Sequence, residues 1–394
     1  MRRILPLLSI VVACLQGCFP ICVVEAQTEA LRLQPIVTGL NQPLFTVSKP
    51  GSTDTLFVGE KGGRVRIIEH GKLLRRRLVD LDELVSIKGE HGLLDLAFPV
   101  NFTQSRQFYV MYSDRQGDLV VARLLADEED HADAEAQQII LKVVQTTPHQ
   151  RRGSIGFGPD GFLYIGFGDG GNVPHSDTTL DASPNGGTNN AQNPRSLLGK
   201  IVRIDVSKSG YSIPHDNPFL GQSESLPEVW ALGFRDPTEI SFHPATGDLL
   251  VTDSGSPRGD EINVVTRSAN YGWSNYEGTL CVHSPCSSTP EQTSASRNTA
   301  PVAESSGISG TRFTGGAFYR GRFVPSLQNT YLFAESKKGV LIGLKFGTSG
   351  WVSTELLRTD EKIVSVSEGC GGEIYVVTEA GSLLRLEQNS SPNP

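Results

Sequence analysis

Residues 148–171 read PHQRRGSIGFGPDGFLYIGFGDGG, and after a polar loop the chain resumes as SLLGKIVRID at 196–205. The run Phe162–Ile165 is a short apolar strand fed by the turn Gly158-Pro159-Asp160-Gly161, and Gly168–Gly171 leads the chain out of it. The pattern G-x-G-x-x-G occurs twice, at Gly156–Gly161 and Gly166–Gly171, but neither copy lies between a strand and a helix. A dinucleotide loop is therefore rejected.

The same unit of apolar strand, glycine turn and second strand recurs along the chain. Copies lie at Thr55–Ile68 (TLFVGEKGGRVRII), Gln107–Leu124, Gly161–Ile204 with a long insertion, Asp248–Val265, Thr330–Leu344 (TYLFAESKKGVLIGL) and Glu373–Leu386. None shows the 3.6-residue period that alternating βαβ units need. One such unit cannot bury both faces of its sheet, whereas six in a ring bury every face and leave only short edges. The expected fold is an all-β, six-bladed β-propeller with long polar loops on one face, a single unit over residues 33–388. The loops between Asp169 and Lys200 and between Gly278 and Gly316 are the long ones, and loops on a rigid ring are where binding groups sit. The acidic run Asp127–Glu135 reads as a solvated loop or short helix, and residues 389–394 as a frayed tail.

Composition agrees with a turn-rich chain, with 42 glycines and 23 prolines in 394 residues. The 35 basic and 43 acidic residues give a formal charge of -8. There is no basic footprint for nucleic acid, and small or neutral partners are expected. Arg2 and Arg3, the apolar stretch Ile4–Gly17 and Val24-Glu25-Ala26 form a signal-peptide pattern over residues 1–26, so the protein is expected to be exported to a periplasmic or extracellular compartment. A second reading takes Leu15-Gln16-Gly17-Cys18 as a lipoprotein box with lipid on Cys18. No later stretch has the length of a membrane span. Cys281 and Cys286 are spaced to close a small disulfide, and Cys370, between Gly369 and Gly371, reads as a buried small residue.

A further set of motifs carries a resemblance. In order these are GEHGLL at Gly89–Leu94, FGPDGFLYIGFGDGG, LLGKIVRID, IPHDNPF at Ile213–Phe219, EVWALGFRDP at Glu228–Pro237, DEINVV with NYGW and EG between Asp260 and Gly278, and GGAFYRG at Gly315–Gly321. The chain from about Leu33 to Leu386 resembles the glucose/sorbosone dehydrogenase family: soluble quinoprotein aldose dehydrogenases and their hedgehog-interacting-protein-like relatives. The resemblance implies a propeller binding pyrroloquinoline quinone (PQQ) with Ca²⁺. It further implies an exported oxidoreductase acting on the C1 hydroxyl of an aldose or related sugar, with an external electron acceptor.

Residue by residue, the resemblance implies that Asp169 orients a catalytic histidine, that Arg235 lies over the quinone, that Glu90 lines the cofactor and sugar site, and that Lys337 pairs with a cofactor carboxylate. Gly255 and Ser256 fall where backbone carbonyls hold the cofactor's calcium, and Glu261 and Tyr271 match a second, structural calcium site. Three departures stand against this. The proton-accepting histidine is expected at Gln150, with His149 one residue early; Glu361-Lys362-Ile363-Val364 stand where a pair of arginines is expected; and Asp236 replaces an asparagine. These departures support an alternative expectation, a non-catalytic calcium-binding propeller that binds carbohydrate or protein partners.

Overall fold

The computed structural model describes residues 31–145, 152–171, 189–255, 259–281, 299–305, 312–348 and 350–389. Its strands form six four-stranded antiparallel sheets, together with one two-stranded ribbon at 276–281. Each of the six recurring sequence units is the central hairpin of one blade. Thr55–Glu60 pairs with Arg64–Glu69 in blade 1 and Gln107–Ser113 with Leu119–Leu125 in blade 2. Leu163–Phe167 pairs with Lys200–Ile204 in blade 3 and Leu249–Asp253 with Glu261–Val265 in blade 4. Tyr331–Glu335 pairs with Val340–Gly347 in blade 5 and Ile374–Thr378 with Leu383–Gln388 in blade 6.

The first strand of this hairpin, second from the axis, is buried along its whole length in blades 1, 3, 4 and 6. It has a sheet neighbour on either side and another blade over each face, which is why it reads as a continuous apolar run rather than an alternating one. Phe57 and Phe167 on such strands, and Phe333 on the corresponding strand of blade 5, are at 0–1 % exposure, each worth about 2–3 kcal/mol of apolar burial.

The innermost strands are Pro43–Ser48, Leu93–Ala97, Gly153–Phe157, Pro237–Phe242, Phe313–Phe318 and Ile363–Glu368. Space near the axis is scarce. A Cβ on Gly316 would come within 1.8 Å of the Tyr331 hydroxyl, and one on Gly153 within 2.3 Å of Met111. Hydrogen bonds stitch neighbouring blades: Ser154 Oγ donates to Asp95 Oδ2 (2.7 Å) and Thr252 Oγ1 to the Gly315 carbonyl (2.9 Å). The N-terminal strand Leu31–Val37 pairs with Leu383–Gln388 and supplies the outermost strand of blade 6. The ring is thus closed by the two ends of the described chain.

Two details differ from the sequence expectation. Asp130, inside the acidic run, is buried, because Lys49 Nζ (2.6 Å) and Arg106 Nη2 (2.9 Å) both close on its carboxylate. Cys370 is an exposed free cysteine, not a buried one, because the Gly369–Gly372 turn carries it out of the blade 6 sheet. Cys286, the signal-peptide pattern, the lipoprotein box and residues 390–394 lie outside the described residues. Among the described residues no helix is long and apolar enough to cross a membrane.

Candidate active site

A cavity of about 500 Å³ opens where the innermost strands begin, lined by residues of all six blades. Its wall carries Lys61, Glu90, Arg152, Arg312, Lys337 and Lys362. Asp95 and Glu239 form its floor and also line a second cavity, of about 260 Å³, toward the strands' other ends. Burial raises Asp95 to about 6, and burial reinforced by the Asp95 charge pushes Glu239 well above the usual carboxylate range. The mouth is therefore basic and the floor acidic.

Two of the expected site residues, Glu90 and Lys337, line this cavity directly. Glu90 precedes the inner strand of blade 2 and lies 3.7 Å from Arg152 Nη2, at the inner strand of blade 3. Arg152 also reaches toward the buried Asp236 of blade 4, with Nε 4.0 Å from Oδ2. One guanidinium thus spans two acids from different blades. Asp236 is raised to about 7 by burial, with Arg152 opposing and Glu90 adding to the rise, and its Oδ1 has no partner among the described residues.

Asp169 and Arg235 are brought together just behind this wall. Asp169 leaves the second strand of blade 3 and Arg235 leads into the inner strand of blade 4, and the Asp169 amide donates to the Arg235 carbonyl at 2.8 Å. Trp273 serves both: its Nε1 donates to Asp169 Oδ2 at 2.6 Å, and the Arg235 guanidinium lies 5.2 Å from the centre of its ring. Asp169 Oδ1 accepts from the Gly171 amide. Burial raises the Asp169 carboxyl, while the bonds from Gly171 and Trp273, and then the charges of Arg235 and Lys200, pull it back.

Lys200, wholly buried, underpins the cluster. Its Nζ donates to the carbonyls of Asn190 (2.6 Å), Ala191 (2.9 Å) and Leu198 (2.9 Å), so all three ammonium protons have an acceptor. Burial lowers it to about 7, with Asp169 opposing. Asn190 in turn donates its Nδ2 to the Asp169 carbonyl at 2.9 Å. The lysine therefore pins the loop that holds the carboxylate in place.

The expected metal ligands are distributed as follows. Arg235 Nη1 donates to the carbonyls of Ser254 (3.0 Å) and Gly255, so the Gly255 oxygen is already engaged. Glu261 pairs across the sheet with Asp253 and Glu304. Burial, reinforced by Glu277 and Glu304, raises Glu261 to about 7. Tyr271 sits apart from that carboxylate: its hydroxyl donates to the Val264 carbonyl at 2.7 Å and accepts from the Thr266 amide, and its ring stacks on Phe234. Among the described residues no group of three or more His, Cys, Asp or Glu is set to hold a metal ion.

His149 and Ser256 lie outside the described residues. Sequence reading missed Lys61 and Arg312 as cavity residues, and it did not single out Arg152, Lys200 or Trp273. Only SLLGKIVRID and NYGW, both inside recognised motifs, held a signal for Lys200 and Trp273. Of the stretch that stands where a pair of arginines is expected, Glu361 does not line the cavity; Lys362 does, paired with Glu379 at 2.7 Å.

Six four-stranded blades around a charge-rich cavity lined by all of them define a six-bladed β-propeller with an axial cavity. The chain belongs to the Glucose / Sorbosone dehydrogenase family, whose model matches residues 41–385. It is 27% identical to the aldose sugar dehydrogenase YliI of Escherichia coli over 84% of this chain and 86% of that protein. It is 42% identical to the HIPL2 protein of Arabidopsis thaliana over 46% of this chain and 28% of that one, so the likeness spans only part of the plant protein. Among solved structures, a putative oxidoreductase (glucose dehydrogenase) of Thermus thermophilus superposes with a TM-score of 0.70 at 27% identity, covering 91% of this chain and all of that one. The relatives thus include an aldose sugar dehydrogenase and, at 31% identity over 56% of this chain and 33% of that one, the Hedgehog-interacting protein of Mus musculus.

Proposed function

We propose that the chain is a PQQ-dependent dehydrogenase that oxidises the C1 hydroxyl of an aldose or related sugar and passes electrons to an external acceptor. The observation that carries this reading is the axial cavity of about 500 Å³, with Arg152, Arg312, Lys337 and Lys362 on its wall. A planar tricarboxylate fits that lining, because its charges meet guanidinium and ammonium groups from several blades. When bound, PQQ supplies the hydride acceptor. Arg235, held by Asp253 through its amide and by Ser254 and Gly255 through its guanidinium, is pre-oriented beside Trp273 and contributes positive charge behind the cavity wall. Asp169 is a positioning residue in this scheme, and His149 is the proton acceptor it would orient. Calcium belongs to the same reading; the Gly255 carbonyl accepts from Arg235 and keeps a second lone pair.

The test is reconstitution of the purified chain with PQQ and Ca²⁺, followed by dye reduction with a panel of aldoses. Saturable, sugar-dependent reduction is expected; absence of saturable PQQ binding overturns the reading. The second reading, an exported propeller that binds a carbohydrate or protein partner without redox chemistry, is favoured by Gln150 at the position expected for the base. It predicts sugar or protein binding with no turnover.

A further inference from the structure

The cations around the cavity are not equivalent. Lys61 Nζ is bonded to the Gly89 carbonyl (2.7 Å), Arg152 lies between Glu90 and Asp236, and Lys362 is paired with Glu379. Arg312 and Lys337 differ from these three, since neither has a side-chain hydrogen bond or ion pair among the described residues. Both belong to one rigid end of blade 5. Arg312 immediately precedes the inner strand Phe313–Phe318, and Lys337 sits in the turn that follows Tyr331–Glu335. The two segments are tied directly: the Ser336 amide donates to the Arg312 carbonyl at 2.7 Å, and Phe313 is in register with Glu335. The Phe313 amide is in turn anchored on Asp260 Oδ2. Asp236 and Asp260 act on Arg312 through their charge without reaching ion-pair distance.

We infer that Arg312 and Lys337 form an anion subsite for a carboxylate-bearing ligand on the blade 5 side of the cavity. Arg312 thereby supplies the cation that the Glu361–Val364 stretch lacks. A guanidinium held on a strand end offers a planar fork matched to a carboxylate, and the neighbouring ammonium adds a point charge. Two cations on one hairpin, neither paired among the described residues, favour a ligand with at least two carboxylates over a monoanion. The inference deepens the cofactor reading and rests on it only for the name of the polycarboxylate.

The test uses the full chain and two probes, PQQ and the redox-inert benzene-1,3,5-tricarboxylate, with calorimetric titration and thermal shift as readouts. Wild type is expected to bind the tricarboxylate saturably, and more weakly as salt rises. Arg312→Ala is expected to weaken that binding about tenfold or more, the scale of one lost charge-assisted bond, while leaving the melting temperature without ligand unchanged. Arg312→Lys is expected to fall between, and Lys337→Ala to weaken binding independently. Equal affinity in wild type and Arg312→Ala for both probes overturns the subsite while leaving the cofactor reading intact. Tricarboxylate binding that depends on Arg312, with no binding of PQQ, upholds the subsite and removes the cofactor. Failure of both probes on wild type overturns both.

Discussion

The indole Nε1 of Trp273 donates to Asp169 Oδ2 at 2.6 Å, joining two residues 104 positions apart in the sequence. The tryptophan belongs to the excursion that follows the third strand of blade 4, and the aspartate to the exit turn of blade 3. The bond therefore locks two adjacent blades at the end of the ring where the cavity opens. It also shields a carboxylate that is only 3 % exposed.

Trp273→Phe keeps the ring over Arg235 but removes that donor. The expected loss is about 1–3 kcal/mol, the cost of leaving a buried acceptor unmatched. Burial already raises Asp169, and losing the bond raises it further. The deficit is thus largest at neutral pH and above, where the carboxylate must be charged, and shrinks as acid protonates it. Urea unfolding at several pH values measures this; a deficit independent of pH would mean that Trp273 acts by packing alone.

Lys200→Met keeps the length of the side chain and removes all three donors. The carbonyls of Asn190, Ala191 and Leu198 lose their donor in a site with no exposure. A loss of about 3–5 kcal/mol is expected, as for breaking a buried polar network on one side. Hydrogen exchange is expected to report faster opening in residues 189–199 than in blades 1 and 6.

Asp236→Asn gives a stabilisation that depends on pH. The carboxyl is raised to about 7 in the folded chain from 3.8. A buried acid raised in this way costs nothing below its unfolded value, and its cost grows as pH rises from about 4 to about 7. The stability gain of the variant over wild type, measured by urea unfolding, is expected to be near zero at pH 4 and to plateau above pH 7 at about 4 kcal/mol, some three pKa units at about 1.4 kcal/mol each. A difference of the same size at pH 4 would contradict the assignment.

Arg235→Ala affects fold and site together. The guanidinium serves the carbonyls of Ser254 and Gly255 and is 4 % exposed, so its removal is expected to cost about 2–4 kcal/mol as well as any PQQ binding. Differential scanning calorimetry and cofactor titration on one preparation check both. From sequence alone this arginine reads as functional, with a packing or ion-pair role as the alternative; its depth in the structure is what couples the two effects.

The ring was legible because each blade carries its most regular element, the central hairpin, as a contiguous apolar–glycine–apolar string. The inner strands were less so. Pro237–Phe242 and Ile363–Glu368 mix polar and apolar residues because one side faces the channel, and Gly153 and Gly316 interrupt the pattern where space is short. Asp169, Arg235, Glu90 and Lys337 could be named from motifs that are local in sequence. Arg312 could not, since its significance comes from a strand pairing that brings its backbone to Ser336, next to Lys337, and neither local spacing nor hydropathy reports which cations lack a partner among the described residues.

Closure of the ring by Leu31–Val37 against Leu383–Gln388 joins segments about 350 positions apart, as in the pair Leu33–Leu386. Such a contact carries the full entropy of closing the longest loop in the molecule and can form only after the intervening blades have condensed. Once formed, it hides the free edge that blade 6 would otherwise offer to another chain. The clasp is therefore expected to be the last strand pairing to form and the first to open. Resistance to proteolysis should accordingly be governed by the lifetime of this one seam, well before it reflects the thermodynamic stability of any single blade.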